Sequence, residues 1–229
     1  MGIGTQSEST LHRELKLLDG AYTGKTEVEC GGFVCDAYRD TSTIVEVQLG
    51  SFAPLAKKID VLCETHRLVV VHPIVVKKEI HLFDVNQNLV SKKWSSRRGS
   101  EWDVFRALLH APLLPLNVNL TIELALVDVV ETRIEDGSGS RRRNGARTAD
   151  RRLAAYHGSA CLAGLADYRR FIPFLPSEKW TAAALAQKAK IRRSLAHKAI
   201  YVLSRLALIQ STEKQGRARL WEWSSAFVQ

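Results

Sequence analysis

Two carboxylates ten positions apart, Asp36 and Glu46, are the side chains of this sequence best placed by type and spacing to do chemistry. Asp36 falls in the strand-like run 33–38 and Glu46 in the run 43–49, with the polar turn Arg39-Asp40-Thr41-Ser42 between them. A turn centred on Thr41 sets Asp36 opposite Glu46, and the two-residue period of a strand adds Gln48 to the same face. Opposed carboxylates repel, so the pair needs a cation. Mg²⁺ or Mn²⁺ suits it, because a hard ion takes a few carboxylate oxygens together with water and phosphate. An ion held there polarises a phosphate, lowers the pKa of a bound water and stabilises a leaving oxygen. The register decides the matter, since a slip of one residue exchanges the faces.

With a helix before it, the Gly31-Gly32 hairpin signal beside it and a helix after it, Asp36…Glu46-Val47-Gln48 resembles the core of the PD-(D/E)XK nuclease superfamily. The resemblance covers roughly residues 5–85. It implies a restriction-endonuclease-like fold and a catalytic metal held by Asp36 and Glu46. It also implies a lysine, two residues past the glutamate, that helps activate the attacking water. The sequence departs from the pattern twice: Cys35 stands in place of the proline and Gln48 in place of the lysine. Gln48 can orient a water by hydrogen bonds but can neither take a proton nor carry charge. Some restriction enzymes of the superfamily resemble this Glu-x-Gln form. In others the lysine is relocated to the next helix, where this chain offers Lys57 and Lys58 as the cation beside the phosphate. Glu8 and His12 match the place where many members carry a further acidic or histidine residue.

The elements that must position these residues follow from periodicity. Leu11, Leu15 and Leu18 recur at helical spacing, so 8–18 is an opening amphipathic helix with Ser7 or Ser9 as its cap. Runs 26–30, 33–38 and 43–49 form a three-strand meander. Pro54 opens a second helix with Leu55, Ile59, Leu62 and Cys63 on one face. The apolar run 68–76 is a strand buried on both faces. A short strand near 80–83, a helix over 101–110 and a long β-branched run over 120–130 continue an α/β chain: a mixed sheet flanked by helices. Residues 1–135 form the nuclease-like domain, and 136–152, rich in Gly, Ser and Arg, form a basic linker or loop.

Residues 153–229 read as a small helical domain. Helical pattern over 153–168 is followed by a short helix over 182–188 capped by Thr181, and by a longer one reaching Leu206. Leu195, Ala199, Val202, Leu203 and Leu206 give the longer helix its buried stripe. Two strands around Lys214-Gln215-Gly216 complete a winged helix-turn-helix pattern. Arg192, Arg193, His197, Lys198 and Tyr201 fall on or near the polar side of the longer helix. Lys214, Arg217 and Arg219 decorate the wing, and Arg141, Arg142 and Arg143 either track a phosphate backbone or form a solvated linker.

The charge distribution agrees with that division. The 229 residues carry a net charge of +9; residues 1–140 hold 15 basic and 19 acidic side chains, and residues 141–229 hold 18 and 5. A basic segment of this kind points to a polyanion, most commonly nucleic acid, and with the winged-helix pattern to double-stranded DNA. No apolar run approaches a membrane span, no signal peptide pattern opens the chain, and the four cysteines suit a reducing cytoplasm. No Walker or dinucleotide-binding motif is present, and His66, His72 and His81 with Cys63 match no zinc-finger spacing. The expectation is a cytoplasmic metal-dependent deoxyribonuclease, an endonuclease that acts as a homodimer if it cuts both strands. The alternative is a non-catalytic DNA-binding regulator built on a degenerate nuclease core.

Overall fold

A computed structural model describes residues 9–18, 26–141 and 144–225. Ser7, Glu8, Arg142 and Arg143 lie outside the described residues. Helix α1, Thr10–Lys16, opens at Ser9, whose hydroxyl accepts a hydrogen bond from the His12 amide and satisfies one orphan donor of the first turn. The meander follows as β1 (Thr26–Cys30), β2 (Phe33–Tyr38) and β3 (Thr43–Val47). Gly31 and Gly32, at φ of 54° and 78°, turn the chain between β1 and β2 where residues with a Cβ would be strained. A 3₁₀ turn carrying Pro54 leads into α2 (Ala56–Leu62).

Strand β4 (Arg67–Phe83) is a single 17-residue strand where the sequence suggests two. His72 and Pro73 do not break it: they stay in register with Leu124 and Ala125 of β6, beyond the last β3 pair at Val71, and a bulge follows between Val75 and Lys77. Strand β5 (Leu89–Trp94) pairs with its outer half. A short helical stretch that includes α3 (Val104–Ala107) then leads to β6 (Leu120–Glu135) and β7 (Ala146–Leu162). Among the described residues these seven strands form one mixed sheet in the order β1-β2-β3-β4-β6-β7, with β5 beside β4. Strands β3, β4 and β6 are mutually parallel, and the other neighbours run antiparallel.

Alternating side chains give the sheet two buried faces. Ala37, Val45, Val47, Val69, Val71, Val127 and Val129 pack on Leu11 and Leu15 of α1. Ile44, Leu68, Val70, Ile122 and Leu124 pack on Ile59 and Leu62 of α2, in a cluster that continues into the C-terminal helices. At roughly 25 cal/mol per Å² of apolar surface removed from water, these stripes supply most of the folding drive.

The expected helix over 153–168 is corrected to strand. Residues 146–162 form β7, and only 165–168 are helical, as α4 (Leu165–Tyr168). The expected linker over 136–152 is likewise mostly structured, as the β6–β7 turn and the start of β7. Arg141 therefore sits at a hairpin tip and does not lead directly into the helical unit. The reason is tertiary: β7 pairs with β6 from Ile122–Leu162 to Glu135–Ala146, a ladder that outweighs the helical propensity of its alanines and arginines. Beyond it lie α5 (Ala182–Lys188), capped by Thr181, α6 (Arg193–Arg205) and the hairpin β8 (Ile209–Gln215) and β9 (Ala218–Trp223). Leu195, Ala199, Val202, Leu203 and Leu206 are all buried. Trp180 stacks on Phe174 at 4.8 Å and joins β9 through paired backbone bonds with Trp221.

Candidate functional site

The β2–β3 ladder pairs Ala37 with Val45 and Tyr38 with Ile44, so the turn is centred at residue 41 and Asp36 lies level with Glu46. Backbone pairing stops there. In its place the Asp36 amide donates to Glu46 Oε1 at 3.1 Å, and the Val47 amide donates to Asp36 Oδ2 at 2.8 Å. The two carboxylates thus take over the hydrogen bonds of the ladder at the point where the strands part. Each ties down the backbone of the opposing strand.

The single-face placement of the pair does not hold. Glu46 lies between Val45 and Val47, which face α1, and its Oε1 meets Lys58 Nζ of α2 at 2.5 Å. Asp36 turns the other way, to Lys16 Nζ at 2.9 Å and His12 Nε2 at 3.2 Å, both on α1. The cause is a break in alternation along β2. Cys35 packs with the α2 cluster and Ala37 with the α1 cluster, so Asp36 cannot follow the simple two-residue period. The cation required by two adjacent carboxylates is present as two ammonium groups, one from each helix.

Both lysines are held firmly. Lys16 is only 6% exposed, which a lysine tolerates only when paired, and it also meets Glu27. Lys58 adds a hydrogen bond to the Val34 carbonyl at 2.6 Å. His12 Nε2 lies 2.8 Å from the Val47 carbonyl, which can only accept, so that nitrogen carries the proton. Burial pushes the Asp36 carboxyl upward, but hydrogen bonds from His12, the Val47 amide and Lys16 outweigh it and hold the pKa down to about 2. Glu46 goes the opposite way: burial raises it, Lys58 opposes the rise, and the nearby Asp36 charge adds to it. Cys35, beside Asp36, is pushed up to about 11 by burial against the lowering effect of Lys58, and so stays a thiol.

The remaining expected residues divide clearly. Lys58 reaches the pair, whereas Lys57 is exposed. Gln48 leaves the sheet, with its side-chain amide donating to the Ser51 carbonyl at 2.7 Å and its own carbonyl accepting from His72 Nδ1. Its side-chain amide is thus engaged by the turn that follows β3. Lys16 is the residue that sequence reasoning missed. Its signal was available, since it follows His12 by four positions and so shares its helix face.

In the C-terminal unit, Arg192, Arg193 and His197 are exposed at the start and outer side of α6, Lys198 is half-buried and Tyr201 is exposed. Lys214, Arg217 and Arg219 are exposed on the β8–β9 hairpin, Arg219 lying over the Trp221 ring at 5.8 Å. Arg141 is exposed at the opposite end of β7 from this unit.

Comparisons with known proteins bear on residues 9–163. Residues 9–163 match the family described as domain of unknown function DUF8091, a span that begins at the α1 cap and ends one residue past β7. An uncharacterized protein of Treponema pallidum (strain Nichols) is 27% identical over 159 residues, covering 69% of this chain. The aligned region spans 63% of that relative's length. No solved structure matches.

Proposed function

We propose that this chain, which belongs to the DUF8091 family, is a metal-dependent DNA nuclease whose C-terminal helix–turn–helix and hairpin act as a winged helix on duplex DNA. The observation that carries the reading is the His12–Lys16–Asp36–Glu46–Lys58 constellation at the parting of β2 and β3. The order of helix, meander, helix and parallel strand around it agrees with a nuclease core.

The donor type suits a small hard cation, but the two carboxylates are directed to different helices and each is already paired with a lysine. Mg²⁺ needs only one or two carboxylates and fills its other positions with water and substrate phosphate. An ion shared by Asp36 and Glu46 would have to displace Lys16 and Lys58 from them; among the described residues no group of three or more His, Cys, Asp or Glu side chains gathers to hold one. Bound there, the ion supplies Lewis acidity and a water of lowered pKa. Asp36, with its pKa near 2, is ionised throughout the working range and remains a ready donor. Lys58 brings to Glu46 the positive charge that Gln48 lacks, and takes the place of the displaced lysine. Lys16 and His12 orient Asp36 until a cation competes for it.

A non-catalytic DNA-binding role is favoured by a different observation: both carboxylates already carry protein cations, and Gln48 is committed to a structural turn. Plasmid DNA incubated with Mg²⁺ or Mn²⁺ separates the two readings. The nuclease reading expects cleavage that falls roughly 100-fold or more in Asp36→Ala, the scale of removing one electrostatic participant. DNA retention without cleavage, unchanged by Asp36→Ala and by a chelator, assigns the binding-only role.

A further inference from the structure

A cavity of about 380 Å³ opens where residues 49–51 leave β3, within the size range of small-molecule sites, about 300–1,000 Å³. Four cations line it, Lys78, Arg97, Arg106 and Arg151, against a single lining carboxylate, Asp103. The cations are fixed in pairs. Asp103 Oδ1 holds Arg97 Nη2 at 2.9 Å and Arg106 Nε at 2.7 Å. Behind the wall, Glu131 Oε2 holds Lys78 Nζ and Arg151 Nε, each at 2.9 Å.

Each carboxylate consequently anchors two cations through one oxygen. A guanidinium has five N–H donors, so every arginine here keeps donors beyond the one engaged. Set against Asp103 and Glu131, the four cations leave an excess of two positive charges. Preset donors of this kind cost little to organise on binding, and the guanidinium fork matches phosphate oxygens. Leu11, Leu49, Ile74 and Val129 add an apolar wall that suits an organic body attached to the anion.

We infer that this cavity is a recognition site for the phosphate group of a nucleotide-sized ligand. The inference does not rest on the nuclease reading, since none of the four cations belongs to the Asp36–Glu46 constellation. The phosphate can come from a free nucleotide or from the end of a nucleic-acid strand, and the chemistry recognised is the same.

Calorimetric titration with inorganic pyrophosphate at low salt tests the site. Saturable binding is expected, weakened by about tenfold or more in an Arg97→Gln, Arg106→Gln double variant, because two charge-assisted contacts are lost. These two arginines lie toward the surface, where ion pairs add little stability, so the melting temperature should hold. Arg192→Gln with Arg193→Gln, in the C-terminal unit, and Asp36→Ala should each leave pyrophosphate binding unchanged. Absence of saturable binding, or binding lowered equally by the Arg192 and Arg193 changes, overturns the inference. Competition by thymidine monophosphate alone assigns the free nucleotide. Competition also by 5′-phosphorylated but not unphosphorylated oligothymidylate assigns a strand end. Failure of both to compete overturns the assignment of a nucleotide-sized ligand.

Discussion

Glu131 has no exposed surface, yet it is surrounded by Lys78, Arg133 and Arg151, with contacts of 2.5 to 2.9 Å. A buried carboxylate survives only with such partners, and removing its charge strands three cations. Glu131→Gln should therefore lower stability by about 3–5 kcal/mol, the usual cost of breaking a buried ion pair. A denaturant midpoint unchanged from the parent would contradict this. The same contacts set the response to acid. Burial pushes Glu131 up, but the three cations outweigh it and bring its pKa down to about 2, as the contacts of Asp36 do for that carboxyl. A depressed folded-state pKa means that the unfolded chain binds the proton first as pH falls. The stabilisation is complete above about pH 4.5 and is lost on descent toward pH 2. Glu46 has the opposite sign, because its raised pKa makes its ionisation unfavourable to the fold and Lys58 limits that cost. Circular dichroism across pH 2–6 should show acid unfolding whose slope flattens in Asp36→Asn and in Glu131→Gln. A slope equal to that of the parent in both variants would refute the linkage.

At the scale of elements, what the sequence revealed depended on whether local chemistry or a distant partner fixed the structure. The Gly31-Gly32 turn, the Ser9 and Thr181 caps and the stripe on α6 are local signals, and each element formed where those residues placed it. The centre of the β2–β3 turn was likewise readable, and with it the level of Asp36 with Glu46. The direction of the two carboxylates was not. It depends on which helix packs on which face and on the interrupted alternation at Cys35–Ala37, neither of which has a sequence period. Strand β7 escaped for a related reason. It is an edge strand, rich in alanine and arginine, with mostly exposed or half-buried positions and almost no apolar alternation of its own. Its identity is set by β6. Helix α6 is the contrasting case, since its buried stripe joins the α2-side core directly. Leu203→Ala should thus destabilise the sheet and the C-terminal unit together, by about 2–5 kcal/mol, in one cooperative transition. Two separated thermal transitions in that variant would show the units to be energetically independent.

Across the whole molecule, the net positive charge is concentrated in the C-terminal segment. Residues 141–229 carry 18 basic against 5 acidic side chains, and the exposed cations of α6 and the β8–β9 hairpin belong to that segment. No helix among the described residues is long and apolar enough to cross a membrane. If this surface grips DNA, affinity must fall with salt, because each neutralised phosphate releases condensed counterions. The slope of log affinity against log salt is then about −0.9 for each contact to duplex DNA. Arg192→Gln with Arg193→Gln should weaken binding uniformly across sequences if both residues meet phosphates, and should make the slope shallower by about 2. If either reads a base edge instead, the loss concentrates on particular sequences while the slope changes less. Asp36 lies outside the basic segment 141–229, so Asp36→Ala should leave both quantities nearly unchanged in the absence of a divalent ion. Fluorescence anisotropy over a salt series therefore separates gripping from cutting in one protein. A slope near zero for the parent would remove DNA from the proposal, whatever the carboxylates do.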